Sequence, residues 1–123
     1  MKLALFTHLS WPEEVDQPSV FHNAVKQVQL AESMGYHSAW FAEHHFTRYS
    51  MGASLPVILA HLAASTRSIR LGTGVIVPNL HNPIRIAEDT ATVDVLSRGR
   101  LDVGFGRGVY GYEYSGFNIP DEE

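Results

Sequence analysis

Short apolar runs alternate with capped, amphipathic segments along most of this 123-residue chain. The runs at residues 2–7, 38–42, 69–77 and 101–106 have the length of buried strands. Between them lie three segments with helix signals, namely apolar residues at helical spacing, cap residues and prolines in the first turn. Strands of this kind are expected to pair in parallel and to be covered on both faces. The sequence therefore predicts an α/β protein with about four parallel strands and three helices.

The last predicted helix has clear start signals, whereas the segment after the fourth strand has no helical period. Asn82 is expected to cap that helix and Pro83 to be its first residue. Its apolar face is predicted to comprise Ile84, Ala87, Ala91, Val95 and Leu96. Residues 107–123 are rich in Gly and Tyr and show no helical period, so an irregular loop is expected there. The fourth strand thus lacks its crossover helix, which indicates truncation.

The length of the chain leaves two architectures open. A doubly wound sheet can be completed with this many residues. A (β/α)8 barrel needs about 250 residues, so the chain would be the amino-terminal half of one. On the second interpretation, residues 1–123 are a single partial domain.

The composition excludes several classes of function. Apolar residues make up 45% of the chain and charged residues 18%, so we expect a packed core. The net charge of −4 and the scattered basic residues argue against a nucleic-acid partner. The absence of cysteine excludes disulfides and thiolate metal sites. With no secretory signal and no long apolar stretch, a cytoplasmic protein without a membrane partner is expected.

The triplet Glu43-His44-His45 directly follows the second predicted strand. The carboxyl ends of strands are where α/β folds bind ligands, and histidine acts as a general acid or base near neutral pH. We therefore interpret His44 and His45 as catalytic candidates; the alternative is one buried and one exposed histidine. A metal site that uses the triplet and His81 is disfavoured, because no H-E-x-x-H spacing is present.

Two glycine-containing segments lie in or after predicted strands. Residues 72–74 (GTG) interrupt the third strand, which is typical of close approach by a ligand or of a bend. Residues 106–111 (GRGVYG) match G-x-G-x-x-G, but a dinucleotide fingerprint should open a helix after the first strand. We interpret the second segment as a ligand-approach loop in which Arg107 pairs with an anion, or as an ordinary exposed loop.

Four segments together resemble the amino-terminal half of the bacterial luciferase-like flavin monooxygenases. They are residues 39–47 (AWFAEHHFT), 71–78 (LGTGVIVP), 81–85 (HNPIR) and 96–108 (LSRGRLDVGFGRG). The resemblance implies a TIM-type barrel that binds reduced flavin mononucleotide (FMN) at its carboxyl face. Reduced flavin and dioxygen would oxidise a small organic substrate such as an aldehyde. A deazaflavin-dependent oxidoreductase with the same fold and a non-catalytic flavin-binding fragment are the alternatives.

The resemblance also implies roles for individual residues. His44 matches a catalytic base near the flavin, and His45 matches a neighbour important for activity or for structure. Gly74 and Val75 match a non-prolyl cis peptide that supports the flavin ring, and Arg107 matches a residue near the flavin and its phosphate. Further cofactor-binding candidates are Glu43, Thr73 and Tyr110.

The same resemblance implies partners. The chain is similar to the catalytic type of luciferase subunit, although Gly106 stands where that subunit has a reactive cysteine. A flavin reductase is expected to supply reduced flavin, and helices matching residues 54–65 and 83–96 are expected to form a homodimer. Because half a barrel leaves strand edges and apolar surface open, the isolated chain should bind flavin weakly, self-associate or need a complementing chain.

Overall fold

A computed structural model describes residues 1–120 of the protein, and its centre is one parallel four-stranded sheet in chain order. The strands are β1 (Ala4–Thr7), β2 (Ser38–Phe41), β3 (Arg70–Ile76) and β4 (Leu101–Phe105). The helices are α1 (Gln17–Ser33), α2 (Leu55–Ser65), α3 (Pro83–Ser97) and α4 (Gly111–Gly116), and a 3-10 turn spans Pro78–Leu80. The predicted α/β class and the four parallel strands are confirmed. None of the helices in residues 1–120 combines the length and apolar character that a membrane crossing requires.

Two of the three crossover helices begin at side-chain caps. The carboxylate of Asp16 accepts a backbone N–H in the first turn of α1. The amide oxygen of Asn82 accepts two backbone N–H groups in the first turn of α3, as predicted. These bonds satisfy donors that the first turn leaves unpaired. Ser54, at the start of α2, makes no such bond, and Pro56 in the first turn favours that helix start instead.

The two faces of the sheet have different surroundings. Ala39, Phe41 and Leu71 are fully buried in one core with apolar side chains of α1, α2 and α3. The opposite face carries Phe6, which is 53% exposed, and Trp40, whose ring lies over Gly72. Successive residues of a strand point to opposite faces, so this alternation shows that the crossover helices cover one face. Cover on both faces was expected, and residues 1–120 provide it on one.

The buried face of α3 is not the predicted one. Ile86 and Val93 enter the core, whereas Ile84 is 69% exposed and Val95 is 78% exposed. The helix carries apolar residues on more than one side, so its periodicity does not identify the side that meets the sheet. The predicted face was therefore wrong. Its five members are all exposed: Ile84, Ala87, Ala91, Val95 and Leu96.

Helix α4 corrects the expectation of an irregular loop through residues 107–123. Its Tyr114 is buried against residues that follow β3, and the Tyr114 hydroxyl donates a hydrogen bond to the carbonyl of Arg107. Isolated helices of this length are marginal in water, so tertiary contacts stabilise α4 and local helix propensity does not. The last three residues of that predicted loop, 121–123, lie outside the described part of the chain.

The carboxylate of Glu32 joins the end of α1 to the start of β3. Its Oε1 accepts backbone N–H groups of Arg67, Ser68 and Ile69 at 2.9, 2.6 and 2.9 Å. Partial burial raises the pKa of this carboxyl, but the three amide donors and the Ser68 hydroxyl together outweigh it and lower the pKa to about 2. The folded state therefore favours the negative charge of Glu32.

We expect Glu32→Gln to lower the free energy of unfolding by about 1 kcal/mol at neutral pH, because an amide oxygen accepts these bonds more weakly than a partly solvated carboxylate. The folded-state pKa lies below the ordinary value of 4.5, so the charge stabilises the fold fully above pH 4.5. That contribution disappears as the pH falls towards 2. Urea denaturation at neutral and at acidic pH measures this contribution of the Glu32 charge to the free energy of unfolding. Equal losses in Glu32→Gln and in the exposed control Glu14→Gln would contradict the assignment.

Candidate functional site

The carboxyl ends of the four strands bring residues that are distant in sequence to one edge of the sheet. Thr7 and Phe41, the last residues of β1 and β2, are register partners, and Phe41 pairs in turn with Thr73 of β3, which continues to Ile76. His8 follows β1, and the predicted triplet 43–45 follows β2. Because parallel strands end at the same edge, these side chains and those that follow β3 and β4 face a common region.

Glu43 is the centre of a buried hydrogen-bond network. Its Oε1 lies 2.9 Å from Nε2 of His45 and 2.6 Å from Nε2 of His81. Its Oε2 accepts the backbone N–H of Val77 at 3.0 Å. The carboxylate therefore ties the loop after β2 to the loop after β3. Both oxygens have partners within the protein, so a direct contact of Glu43 with a cofactor stays a prediction.

His44 has a different carboxylate partner, which comes from α4. Its Nδ1 lies 3.2 Å from Oε1 of Glu113, and the same oxygen accepts the backbone N–H of His45 at 2.9 Å. Glu113 is buried, with 2% of its surface exposed. Sequence reasoning missed Glu113, because it lies in the segment that was expected to be a loop. The only signal was an acid a few residues beyond the glycine-rich segment.

Aromatic rings surround the imidazole of His44. Ring centroids lie 5.6 Å away in His8, 5.2 Å away in Tyr49 and 5.4 Å away in Tyr110. Burial, and to a smaller extent the nearby His44, lower the pKa of His8. The Nδ1 of His8 is buried and has no hydrogen-bond partner among residues 1–120. His8 is therefore favoured in its neutral form, which limits the positive charge beside His44.

A flat surface of few side chains adjoins this cluster. A Cβ at Gly74 would lie 3.2 Å from the ring of Phe6, and a Cβ at Gly106 would lie 2.6 Å from Val75. The peptide bond between Gly74 and Val75 is cis, as the resemblance implies. Glycine at these positions keeps the sheet flat beside the exposed ring of Phe6. A planar ring system fits such a surface.

The remaining predicted cofactor contacts differ in placement. Arg107 and Tyr110 follow β4 at the same edge and are exposed. Thr73 is buried, and its hydroxyl donates to the carbonyl of Gly104 at 3.0 Å and accepts the Gly104 N–H at 2.9 Å. These bonds span the irregular register between β3 and β4. The Thr73 side chain therefore stabilises the sheet, and its cofactor contact stays a prediction.

We expect Glu43→Gln to lower the free energy of unfolding by about 1–3 kcal/mol, because its amide nitrogen would face a donor inside a buried network. The control Glu88→Gln changes an exposed acid on α3 and should shift stability by less than about 0.5 kcal/mol. Thermal denaturation of both variants measures the difference. Equal melting temperatures for the two variants would contradict the role of Glu43 in the fold.

The chain matches a known protein family over residues 1–123. A family model described as luciferase-like monooxygenase matches residues 1–123. The oxygenase component of flavin-dependent trigonelline monooxygenase from Acinetobacter baylyi is 34% identical over 115 residues, which cover 93% of this chain and 32% of that protein. This chain therefore spans about a third of the length of that curated relative.

Solved structures confirm the predicted fold. Monooxygenase RslO1 from Streptomyces bottropensis matches with a TM-score of 0.93 and 33% identity, over 98% of this chain and 37% of that chain. Coenzyme F420-dependent tetrahydromethanopterin reductase from Methanopyrus kandleri matches with a TM-score of 0.73 and 25% identity, over 98% of this chain and 30% of that chain. The chain corresponds to the amino-terminal part of a TIM-type barrel.

Proposed function

This chain belongs to the luciferase-like monooxygenase family, and we propose that it carries the flavin-facing residues of an FMN-dependent monooxygenase. The observation that carries the proposal is the pairing of His44 with the buried Glu113, at the same sheet edge as the flat surface around Gly74. Reduced flavin and dioxygen would oxidise a small organic substrate, of which an aldehyde is one candidate. The chain covers about a third of its curated relative, so this activity is proposed for the complete barrel.

The residues of this edge suit a reduced flavin. Gly74, Val75 and the exposed face of Phe6 offer a flat apolar contact for its ring. Arg107 offers a guanidinium to its phosphate. The ring of Tyr110, three residues later, lies 5.4 Å from the imidazole of His44. When bound, the reduced flavin supplies the electrons for the activation of dioxygen.

The two histidines have separate roles in this proposal. The carboxylate of Glu113 accepts a hydrogen bond from Nδ1 of His44, so the proton of the neutral ring stays on Nδ1. Nε2 is then the ring atom that can take a proton. His44 is therefore the proposed general base. Nε2 of His45 is engaged by Glu43, which supports the structural alternative for His45.

Three further parts of the proposal concern partners and location. A separate flavin reductase would supply reduced flavin, since the trigonelline relative is an oxygenase component. A second copy or a complementing chain would cover exposed apolar residues of α3 such as Ile84 and Val95. We propose that the reaction takes place in the cytoplasm, because reduced cofactors are regenerated there. The proposed substrate is a small molecule.

A deazaflavin-dependent oxidoreductase is the second candidate, favoured by the F420-dependent reductase of the same fold. The two candidates differ in their use of oxygen. A monooxygenase consumes dioxygen in proportion to the substrate that it oxidises, whereas a deazaflavin-dependent enzyme works under argon. Oxygen uptake with reduced FMN, beside anaerobic turnover with reduced F420, separates them.

We expect His44→Ala in the full-length protein to slow substrate oxidation by about 100- to 10,000-fold, as for the loss of a general base. The affinity for reduced FMN should change much less, because the flat surface and Arg107 remain. Stopped-flow kinetics under oxygen and an anaerobic absorbance titration measure the two quantities separately.

His61→Ala, on the exposed side of α2, is the matched control and should leave both quantities unchanged. Equal losses of turnover and flavin affinity in His44→Ala would assign His44 a structural role. Retention of full turnover would remove it from the chemistry.

A further inference from the structure

We propose that Glu43, His45 and His81 form a binding site for a divalent metal ion of the zinc class. Nε2 of His45, Nε2 of His81 and one carboxylate oxygen of Glu43 all lie within 4.8 Å of one another. Two imidazole nitrogens and a carboxylate oxygen are a ligand set that zinc uses with a fourth position left for water. None of its three ligand atoms belongs to His44, the proposed general base, or to the glycine-rich surface proposed to contact the flavin.

The ligands are held in place by the fold. Glu43 and His45 are buried at the end of β2, and the backbone N–H of Val77 fixes the second oxygen of Glu43. The buried carboxylate provides a negative charge that offsets part of the charge of a divalent ion. Two of the three proposed metal ligands, Glu43 and His45, are therefore already fixed in position by the protein.

The third ligand also provides a route from solvent. The His81 side chain is 30% exposed. It lines, with Glu43, a cleft of about 270 Å³ between the first turns of α2 and α3. Arg85 also lines this cleft, but it pairs with Glu88 and Asp89, so its charge is compensated. A hydrated cation can therefore reach the carboxylate through the cleft.

Binding requires a small rearrangement of the hydrogen bonds. In the structure, the two imidazole nitrogens lie 2.9 and 2.6 Å from the same oxygen of Glu43, so each holds a proton directed at it. Zinc bonds of about 2.0–2.2 Å at tetrahedral angles place neighbouring ligand atoms roughly 3.3 Å apart. Each ring nitrogen must therefore move several tenths of an ångström away from the carboxylate oxygen, while the two nitrogens, which lie within 4.8 Å of each other, take up the same spacing. Each ring must also free its Nε2: an imidazolium releases that proton to solvent, and a neutral ring takes a proton at Nδ1 in exchange. The partly exposed ring of His81 lines the cleft and has room for this movement.

Metal binding by the full-length protein tests the proposal. After treatment with a chelator, the protein is dialysed against Zn²⁺ for metal analysis and titrated with Co²⁺ as a spectroscopic probe. We expect one ion per chain and Co²⁺ absorption bands of four-coordinate intensity. His81→Ala should weaken Zn²⁺ binding by more than about 10–100-fold, the loss known for groups that only support metal ligands.

One further ligand variant and two control variants make the result specific. His45→Gln removes a second ligand and should also abolish the Co²⁺ bands, while circular dichroism confirms that each variant is folded. His61→Ala removes an exposed histidine of α2, and His8→Ala removes the imidazole beside His44. Neither should change Zn²⁺ affinity.

The proposal is overturned if the folded protein binds no stoichiometric metal ion. It is equally overturned if His81→Ala binds Zn²⁺ like the unmodified protein, or if His8→Ala abolishes binding. The last result would assign the ion to the pair of His8 and His44.

Discussion

The buried carboxylate of Glu43 is the interaction on which the geometry of the site depends. A charge removed from water must be matched by donors, and three are present: two imidazoles and the N–H of Val77. These donors belong to the loops after β2 and β3, so the carboxylate joins the two loops through hydrogen bonds. The position of His44 follows, because it is the residue between Glu43 and His45.

A second buried carboxylate extends this arrangement beyond β4. Glu113 accepts from His45 and faces Nδ1 of His44, although α4 is too short to be stable by itself. Its acid and the adjacent Tyr114 fasten it to the edge of the sheet. The imidazoles of these two neighbouring residues thus have different carboxylate partners.

The two faces of the sheet have unequal cover in the described part of the chain. The crossover helices bury Ala39, Phe41 and Leu71 on one side. On the other side, glycines and the exposed ring of Phe6 leave a flat surface next to the histidines. A flavin-dependent trigonelline monooxygenase component and an F420-dependent reductase both match this part of the barrel.

The sequence by itself determined the order of the four strands and the three crossover helices, and the placement of Glu43, His44 and His45 after the end of a strand. Those features depend on periodicity, caps and glycines, which act over a few residues. Tertiary structure alone decided the buried side of α3, the existence of α4 and the partner of each histidine. These depend on contacts such as that between His44 and Glu113, which are 69 residues apart. Only the packed sheet brings such residues together, because no local pattern encodes which distant donor a buried charge will meet.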